Sequence, residues 1–392
     1  MNFTAEDLIR SNISANGPIS FEEFMEIALY SEVGYYRTKD VFGTSGDYYT
    51  SPHLHPIFGS LVALQMEKMW KCMGSPAPFY LIEQGAGDAT LATDVLKTIA
   101  LLDPAFYSAV SYLCVDRRKI EVADGVPAQF LQSDRLGNFH QAGVILSNEL
   151  IDSFPVKMIE IIEGEVFEIF VDVDRSGNFD EIRLPIEKSQ IENILPKELE
   201  ELNGYRGPLN TRVNDWYANI SKVLSHGFVV TIDYGYSRNI YYSMEKSHRL
   251  LQTYYKHTEG SSPYQRIGSQ DLTAHVDFDS LREIGVIYGF KELEYCSQSE
   301  WLLRLGLEDV LGNMRQSRYE SPKAINLISS LADESGLGSF KVLIQGKNLD
   351  IAADAGLKSK ISWPSDLNYP CVRETHMAYA SEASKTPGAT FL

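Results

Sequence analysis

A short glycine turn between an apolar strand and a helix is the first place in the sequence where chemistry is indicated. The segment LIEQGAGDATL ends its strand at Glu83 and then bends through Gly85 and Gly87. Glycine at such a bend lets a ligand approach the backbone, where the first amides of the helix are free to donate hydrogen bonds. A Gly-x-Gly pair alone is weak evidence, because a tight turn without a ligand has the same pattern.

A second acidic residue follows the next predicted strand. VSYLCVD ends in Asp116, and the carboxyl ends of neighbouring parallel strands meet at one edge of a sheet. A carboxylate there can accept hydrogen bonds from the vicinal hydroxyls of a ribose, and a solvated turn residue is the alternative. The turn has Ala89 and Thr90 where a dinucleotide fingerprint continues to a third glycine, which disfavours a nicotinamide site.

Six segments resemble, in their order along the chain, those of the MidA-like family of class I S-adenosylmethionine methyltransferases. They are PISFEEFMEIALYSEVGYY, GDYYTSP, EQGAG, SNELIDSFPV, IDYGY and DLTAHVDF. The resemblance extends from about residue 17 to residue 348, and the Glu-x-Gly-x-Gly order is similar to the first motif of the class. It implies an S-adenosylmethionine-dependent methyltransferase, and some members of the family methylate arginine on a partner protein.

The resemblance also implies which residues bind the cofactor. The glycine turn would line its methionine side, Asp116 would take the ribose, and the loop at 46–52 would close over the cofactor or the substrate. The cofactor-binding residues that we expect are Glu83, Gly85, Ala86, Gly87, Asp116, Asn148, Asp47, Thr50, Ser51 and Pro52.

Two acidic residues in SNELIDSFPV, Glu149 and Asp152, are the expected catalytic carboxylates. The segment is similar to the family's NE-x-x-D-x-x-P element, and the fourth strand of such a sheet ends beside the reacting centre. Carboxylates fix and polarise a guanidinium, which suits an arginine acceptor. The alternative is that Asn148 or Asp152 caps the start of a helix.

His275 in DLTAHVDF is the third catalytic candidate, as a base or as a group that orients the substrate. A structural, hydrogen-bonded histidine fits the pattern better. Together with Asp271 and Asp277 it could be read as a metal site. The spacing is not that of ligands on one helix face, and the resemblance assigns no metal, so we expect none.

Alternating strands and helices must position these residues, and they predict an α/β fold. It is a Rossmann-like class I methyltransferase core with a doubly wound, mostly parallel sheet. A helical N-terminal region, substrate-binding insertions and an irregular, loosely held tail complete the expected chain. The seven predicted strands are FYLIE, VSYLCVD, AQFLQSD, GVILSNE, FVVTIDYG, ELEYCS and FKVLIQGKN. Residues 1–78 are expected to form a lid over the cofactor or substrate. Residues 79–348 are expected to form the core, with insertions at about 156–210 and 236–277. Residues 349–392 are the expected tail.

Composition limits the partners and the compartment. The 392 residues include 53 acidic and 35 basic ones, a net charge of −18, so nucleic acid and anionic membranes are not expected as partners. A basic peptide or a neutral small molecule fits better, and the chain could form a homodimer. Four widely spaced cysteines indicate reduced thiols, and without an apolar leader the expected location is cytoplasmic.

Some positions depart from the family pattern. Asp88 and Ala89 stand where another glycine is common, and His53 replaces an acid in TSPH. The acceptor region HRLLQTYYKHTEGSSPYQ is also altered. Three hypotheses therefore stay open: a methyltransferase for protein arginine, a methyltransferase for a small metabolite, and a non-catalytic assembly factor that retains the fold. The metabolite hypothesis draws on the tyrosines of the acceptor region, Tyr241, Tyr242, Tyr254, Tyr255 and Tyr264.

Overall fold

The computed structural model describes most of the chain. The described residues are 3–38, 50–120, 125–137, 141–186, 191, 194–195, 202–256, 258–317, 321–349 and 357–379. Within these ranges no helix has both the length and the apolar character needed to cross a membrane.

Helices and strands alternate through the middle of the chain. Helices α1 to α14 are Ala5–Asn16, Phe21–Tyr30, Tyr35–Thr38, Ser51–Leu54, Ile57–Cys72, Thr90–Ile99, Pro104–Ala109, Arg212–Val223, Arg238–Tyr241, Met244–Ser247, Phe278–Ile287, Gln298–Arg304, Leu307–Ser317 and Pro322–Ser330. Strands β1 to β17 are Ile19–Ser20, Phe79–Gln84, Val110–Asp116, Ala128–Gln132, Gln141–Asn148, Lys157–Ile162, Glu165–Val173, Phe179–Pro185, Arg206–Leu209, Leu224–Asp233, Gly235–Tyr236, Leu251–Tyr255, Thr258–Glu259, Asp271–Ala274, Val276–Asp277, Lys291–Ser297 and Lys341–Lys347.

The largest sheet has the order β16-β17-β10-β5-β2-β3-β4. Its strands are parallel except β17, which runs antiparallel to both β10 and β16. Helices cover both faces, because neighbouring residues of each central strand enter different hydrophobic cores. Leu81 packs with α5 and α6, whereas Ile82 packs with α8 and α11. The predicted doubly wound α/β fold is therefore confirmed.

The parallel arrangement brings four polar strand ends to one edge of this sheet. Strands β2, β3, β5 and β10 end at Gln84, Asp116, Asn148 and Asp233. Each is paired in parallel with a neighbour, so their carboxyl ends lie side by side. Ligands of open α/β sheets bind at this edge.

The first insertion forms an antiparallel sheet with the order β1-β7-β6-β9, with β8 added beside β7. Its hairpin turns at Glu163 and Gly164, whose φ angles of 51° and 79° are the positive values that a two-residue type I′ turn requires. Strand β1 comes from the N-terminal region and pairs Ile19 with Val171. The N-terminal helices α1 and α2 therefore pack on the insertion and not on the largest sheet.

The second insertion contains a small sheet with the order β13-β12-β14. Its strands alternate between side chains that enter the N-terminal core and polar side chains on the other face. Leu272 and Ala274 belong to that core. Asp271 and Thr273, which alternate with them along β14, lie on the opposite face and point toward the edge where the four strand ends meet.

The expectation of a loosely held tail is wrong for residues 357–379. Leu357 is fully buried, and Asp94 on α6 accepts hydrogen bonds from Arg373 at 2.6 Å and from His376 at 2.9 Å. Such pairs between residues far apart in the chain have no signature in local periodicity, so the sequence pattern did not reveal them.

Replacing Asp94 should cost much of the stability of the fold. Asp94→Ala removes the ion pair with Arg373 and the hydrogen bond to buried His376, and we expect the free energy of unfolding in urea to fall by about 3–5 kcal/mol. Glu67→Gln is the control, because Glu67 pairs with Lys71 at 2.8 Å on the surface and should matter by about 1 kcal/mol or less. Similarly small losses of unfolding free energy for both variants would show that the contacts of Asp94 with Arg373 and His376 do not hold the tail.

Candidate active site at the carboxyl edge of the sheet

A cavity of about 1050 Å³ opens where the four strand ends meet. Its walls come from the glycine turn, the loops after β3 and β5, the N-terminal helices and the polar face of the small sheet. Pockets for organic cofactors and substrates occupy this size range. The cavity thus combines most of the predicted cofactor residues with the three predicted catalytic residues, Glu149, Asp152 and His275.

The glycine turn forms one end of the cavity. Gly85 and Gly87 have φ angles of 75° and 60°, which disfavour other residues, and the Gly85 amide donates to the Val115 carbonyl at 2.8 Å. A Cβ atom added to Gly85 would lie 2.9 Å from the side chain of Leu150. Ala86 between the glycines is buried and also lines the cavity. Glycine at position 85 is therefore required by its backbone conformation and by its packing against Leu150, and the small residues of the bend leave its backbone open to a ligand.

Glu83 lies below this turn, one residue before the end of β2. It is buried and accepts a hydrogen bond from the Tyr112 hydroxyl at 2.6 Å, while one edge of it reaches the cavity. Burial raises the pKa of Glu83 to about 8, and the Tyr112 hydrogen bond offsets this only in part. The hydrogen bond from Tyr112 on the neighbouring strand β3 thus fixes the position of the Glu83 carboxyl.

Asp116 lies directly beside the turn. Its Oδ2 accepts from the Gly87 amide at 3.0 Å and its Oδ1 from the Arg118 amide at 2.8 Å. A carboxylate oxygen can accept about two hydrogen bonds. Because Nε of Arg118 also lies 3.5 Å from Oδ1, the capacity for a ligand in the cavity is on Oδ2. The structure thus brings the acidic strand end and the glycine turn into direct contact.

The predicted N-terminal loop is described only from residue 50, so Asp47 lies outside the described residues. Thr50 and Pro52 line the cavity at the start of α4. Ser51 is fully buried, and its hydroxyl donates to Gln298 at 3.1 Å. The backbone N–H of Ser51 faces the carboxyl of Glu149 and favours its ionised form.

Glu149 follows β5 with a φ of 52°, a conformation that is unusual for a residue with a side chain. Asn148 donates to its Oε1 at 3.0 Å. Burial, together with the nearby Asp152, raises the pKa of Glu149 to about 8. No helix begins in 149–156, all of which the structure describes, so the helix-cap interpretation of Asn148 and Asp152 is wrong.

Asp152 is the more deeply buried carboxyl, with 5% of its surface exposed. Burial raises its pKa to about 6, and the Tyr234 hydroxyl partly opposes that shift. Its Oδ1 has no hydrogen-bond partner among the described residues, and the same is true of Asn148 Oδ1. Both residues line the cavity. Buried oxygens of this kind require a ligand or water to satisfy them.

Asp233, at the end of β10, holds the loop that carries these carboxyls. It is fully buried; its Oδ2 accepts from the amides of Ile151 at 2.9 Å and Asp152 at 3.3 Å, and its Oδ1 from the Tyr234 amide at 2.9 Å. Burial raises its pKa far above the usual value. The position of Asp233 at a strand end was visible in the sequence, but its partners Ile151 and Asp152 lie 82 and 81 residues away and were not.

His275 packs between two tyrosine rings at the cavity wall. Its ring is stacked on Tyr236 at 5.1 Å and meets Tyr234 edge-on at 4.9 Å, and Nδ1 lies 3.3 Å from the Leu250 carbonyl. Burial lowers its pKa to about 4, so it is neutral at pH 7. As for metals, the described part of the chain contains no group of three or more histidines, cysteines or acids that could hold one.

The sequence analysis did not predict that the polar face of the small sheet lines the site. Gln252 pairs across the strands with Thr273, and Tyr254 with Asp271, and all four line the cavity. The alternation in LQTYY and DLTA was the available signal. Of the tyrosines singled out in the acceptor region, Tyr254 lines the cavity. Tyr241 and Tyr242 are buried instead in a hydrophobic core.

Comparison with known proteins decides the class of enzyme. Residues 61–296, more than half of the chain, match a family described as "Putative S-adenosyl-L-methionine-dependent methyltransferase". The chain belongs to this family. The methyltransferase uses S-adenosylmethionine, as the resemblance implied, and the described residues fit that group: a side-chain-free bend, a carboxylate with spare acceptor capacity and the unsatisfied Asn148 oxygen face one cavity.

Relatives and solved structures agree with this assignment. The methyltransferase is 29% identical over 316 residues to the mitochondrial protein arginine methyltransferase NDUFAF7 homologue of Drosophila melanogaster, covering 72% of this chain and 70% of the relative. It is 25% identical to human NDUFAF7, covering 69% and 66%. A crystal structure of a Burkholderia thailandensis protein bound to S-adenosylhomocysteine superimposes with a TM-score of 0.77 at 27% identity, covering 90% of this chain and 93% of that one.

The prediction of a cytoplasmic location is contradicted by these relatives, which are named as mitochondrial proteins. The prediction depended on dispersed, reduced cysteines and on the lack of an apolar leader in the sequence. Thiols of this kind are stable in any reducing compartment, so they do not identify the cytoplasm.

Proposed function

We propose that this methyltransferase transfers a methyl group to an arginine side chain of a protein partner. The observation that carries the proposal is the unsatisfied Oδ1 of Asp152, buried at the cavity wall beside Glu149. A buried carboxylate oxygen without a partner favours binding of a cation that can donate hydrogen bonds. A guanidinium supplies several donors in one plane and can engage both carboxyls.

The cofactor would bind at the end of the cavity formed by the glycine turn. The backbone from Gly85 to Gly87, with Glu83 beneath it, would hold the methionine part, Asp116 would accept from the ribose hydroxyls, and Asn148 Oδ1 would accept from a donor group of the cofactor. Thr50 and Pro52 form the opposing wall. When bound, S-adenosylmethionine supplies an electrophilic methyl group on a sulfonium, so the protein chiefly aligns the acceptor with it.

The carboxyls also take the proton that methylation releases. An arginine nitrogen forms a bond to the methyl carbon as the bond from carbon to sulfur breaks, and the nitrogen must lose one proton. Glu149 accepts it in its ionised form, whose share grows as the pH rises toward its pKa of about 8. Neutral His275, with a pKa near 4, is a weak base and orients Tyr234 and Tyr236 by its ring contacts.

The N-terminal region covers the cavity as a lid. Helix α2 is tied to the core through Glu22 and Glu26, which pair with Arg212 at 2.7 and 3.0 Å, and Glu26 also pairs with Arg117 at 2.9 Å. Tyr30 and the following helix α3 then form a wall of the cavity. These half-buried ion pairs would hold the lid in a fixed position over the cofactor site.

The relatives support a protein acceptor, because they are named as protein arginine methyltransferases. The test uses methyl-labelled S-adenosylmethionine, purified enzyme and a cell extract. We expect the label in the protein fraction and, after acid hydrolysis, in methylated arginine. Label confined to small molecules would instead identify a metabolite methyltransferase. A heat-inactivated enzyme gives the background of the extract.

A further inference from the structure

Two residues that depart from the family pattern, His53 and Asp88, contact each other in the structure. His53 Nε2 lies 3.1 Å from Asp88 Oδ2, with 5% of the histidine side chain and 34% of the aspartate side chain exposed. His53 lies on α4, and Asp88 directly follows the second glycine of the turn. The contact therefore joins the N-terminal segment to the cofactor turn.

Further hydrogen bonds fix both partners. Thr50 Oγ1 lies 2.8 Å from His53 Nδ1, and Asp88 Oδ1 accepts from the Thr90 amide at 3.0 Å. Burial opposes the ionisation of Asp88, but the hydrogen bonds from His53 and Thr90 prevail and lower its pKa to about 2. Since an ionised carboxylate only accepts, Nε2 of His53 is the donor in the pair.

Helix α4 carries a second contact on its other side. The Ser51 backbone N–H faces the Glu149 carboxyl, and the Ser51 hydroxyl bonds to Gln298 on α12. His53 and Ser51 are two residues apart on one turn of helix. A shift of α4 relative to the glycine turn would therefore also move the group that faces Glu149.

We propose that His53 is a positioning residue that, through Asp88, fixes α4 to the cofactor turn and so keeps the turn and Glu149 in one arrangement. The first part of this inference concerns cofactor binding alone. Its second part, the effect on Glu149, rests on the proposed function.

The same chain offers a matched pair elsewhere. His376 and Asp94 are 2.9 Å apart, and Asp94 lies on α6, the helix that follows the glycine turn. That pair ties down the tail and does not line the cavity. His376→Ala therefore reports what the loss of a buried histidine–aspartate contact does to the fold without disturbing α4.

The experiment measures the Kd of S-adenosylhomocysteine by titration calorimetry. We expect His53→Ala and Asp88→Ala each to raise the Kd about tenfold, the effect of losing a hydrogen bond to a charged group, and the double variant to do no more. His53→Gln, which retains a donor near the Nε2 position, should recover most of the affinity. His376→Ala should lower the unfolding temperature and leave the Kd unchanged.

Two results would overturn the inference. One is a Kd for His53→Ala within about twofold of the wild type, and the other is a double variant whose loss equals the product of the single losses, which marks independent residues. A fall in unfolding temperature as large as that of His376→Ala, with the affinity intact, would reduce His53 to a structural residue.

Turnover is measured together with the Kd. If His53→Ala weakens cofactor binding yet no protein acceptor is found, the positioning role stands and the arginine proposal fails.

Discussion

Glu149→Gln is expected to lower the rate of methyl transfer by about 100-fold or more, which is the effect that removal of a general base has on turnover. The affinity for S-adenosylhomocysteine should stay within about twofold of the wild-type value. The glutamine has the shape of the glutamate and can still accept the hydrogen bond from Asn148. It cannot take up a proton or attract a guanidinium by charge. The loss should therefore appear in turnover.

Misfolding is a poor explanation for such a loss, because the substitution should not weaken the fold. The pKa of Glu149 is raised to about 8 by burial, so the folded state binds its proton more tightly than the unfolded state. Stability from this group is therefore present below the unfolded pKa and declines as the pH rises toward 8. Glutamine removes that decline, and the unfolding temperature at pH 8 should match or exceed that of the wild type.

The pH profile gives a second readout of the same prediction. In the free enzyme Glu149 ionises near pH 8 and Asp152 near pH 6, so kcat/KM for the arginine acceptor should rise from pH 6, be half-maximal near pH 8 and level off about one pH unit above that. Glu163→Gln is the matched control, because Glu163 also has a positive φ, 51°, but lies exposed at a hairpin turn. A flat profile, or equal effects of the two variants, would remove Glu149 from the mechanism.

The sequence predicted that Asp116 lies beside the glycine turn because these residues follow a simple rule. Parallel strands end at one edge, so Asp116 and the glycine turn had to be neighbours once their strands were assigned. The contact between Gly87 and Asp116 bears this out. Strand and helix periodicity is a local property, and it was sufficient for the central sheet.

The acceptor end depended on contacts that local patterns do not encode. Strand β1 pairs with β7 across 150 residues of sequence, and Asp271 meets the Tyr36 hydroxyl of α3 at 3.1 Å. The alternation of β14 indicated one polar face but not which cavity that face would line. The burial of Glu149 could not be predicted from local patterns either, because it depends on packing by the N-terminal region. This burial raises the pKa of Glu149 above that of an exposed glutamate.

Asp116→Ala should raise the Kd of S-adenosylhomocysteine by about 10- to 100-fold, as expected when a charged acceptor of ligand hydrogen bonds is removed. Asp103→Asn is the control, since Asp103 also accepts backbone hydrogen bonds, from Ala105 at 2.7 Å, but at the far end of β3. Calorimetric titration distinguishes the two, and a change of less than about threefold for Asp116→Ala would contradict the ribose role.

Asp116→Asn separates the two tasks of this carboxylate. In the protein, Asp116 orders the turn by accepting from Gly87 and Arg118, and it also has capacity left for a ligand. An asparagine keeps one oxygen, which can accept from Gly87, but its amide group cannot accept from a hydroxyl. If ordering the turn were the whole role, asparagine would restore most of the affinity. If the ribose instead needs the charged carboxylate, Asp116→Asn will bind nearly as weakly as Asp116→Ala. We expect this second result because asparagine carries no charge and has a donor group in place of one acceptor oxygen.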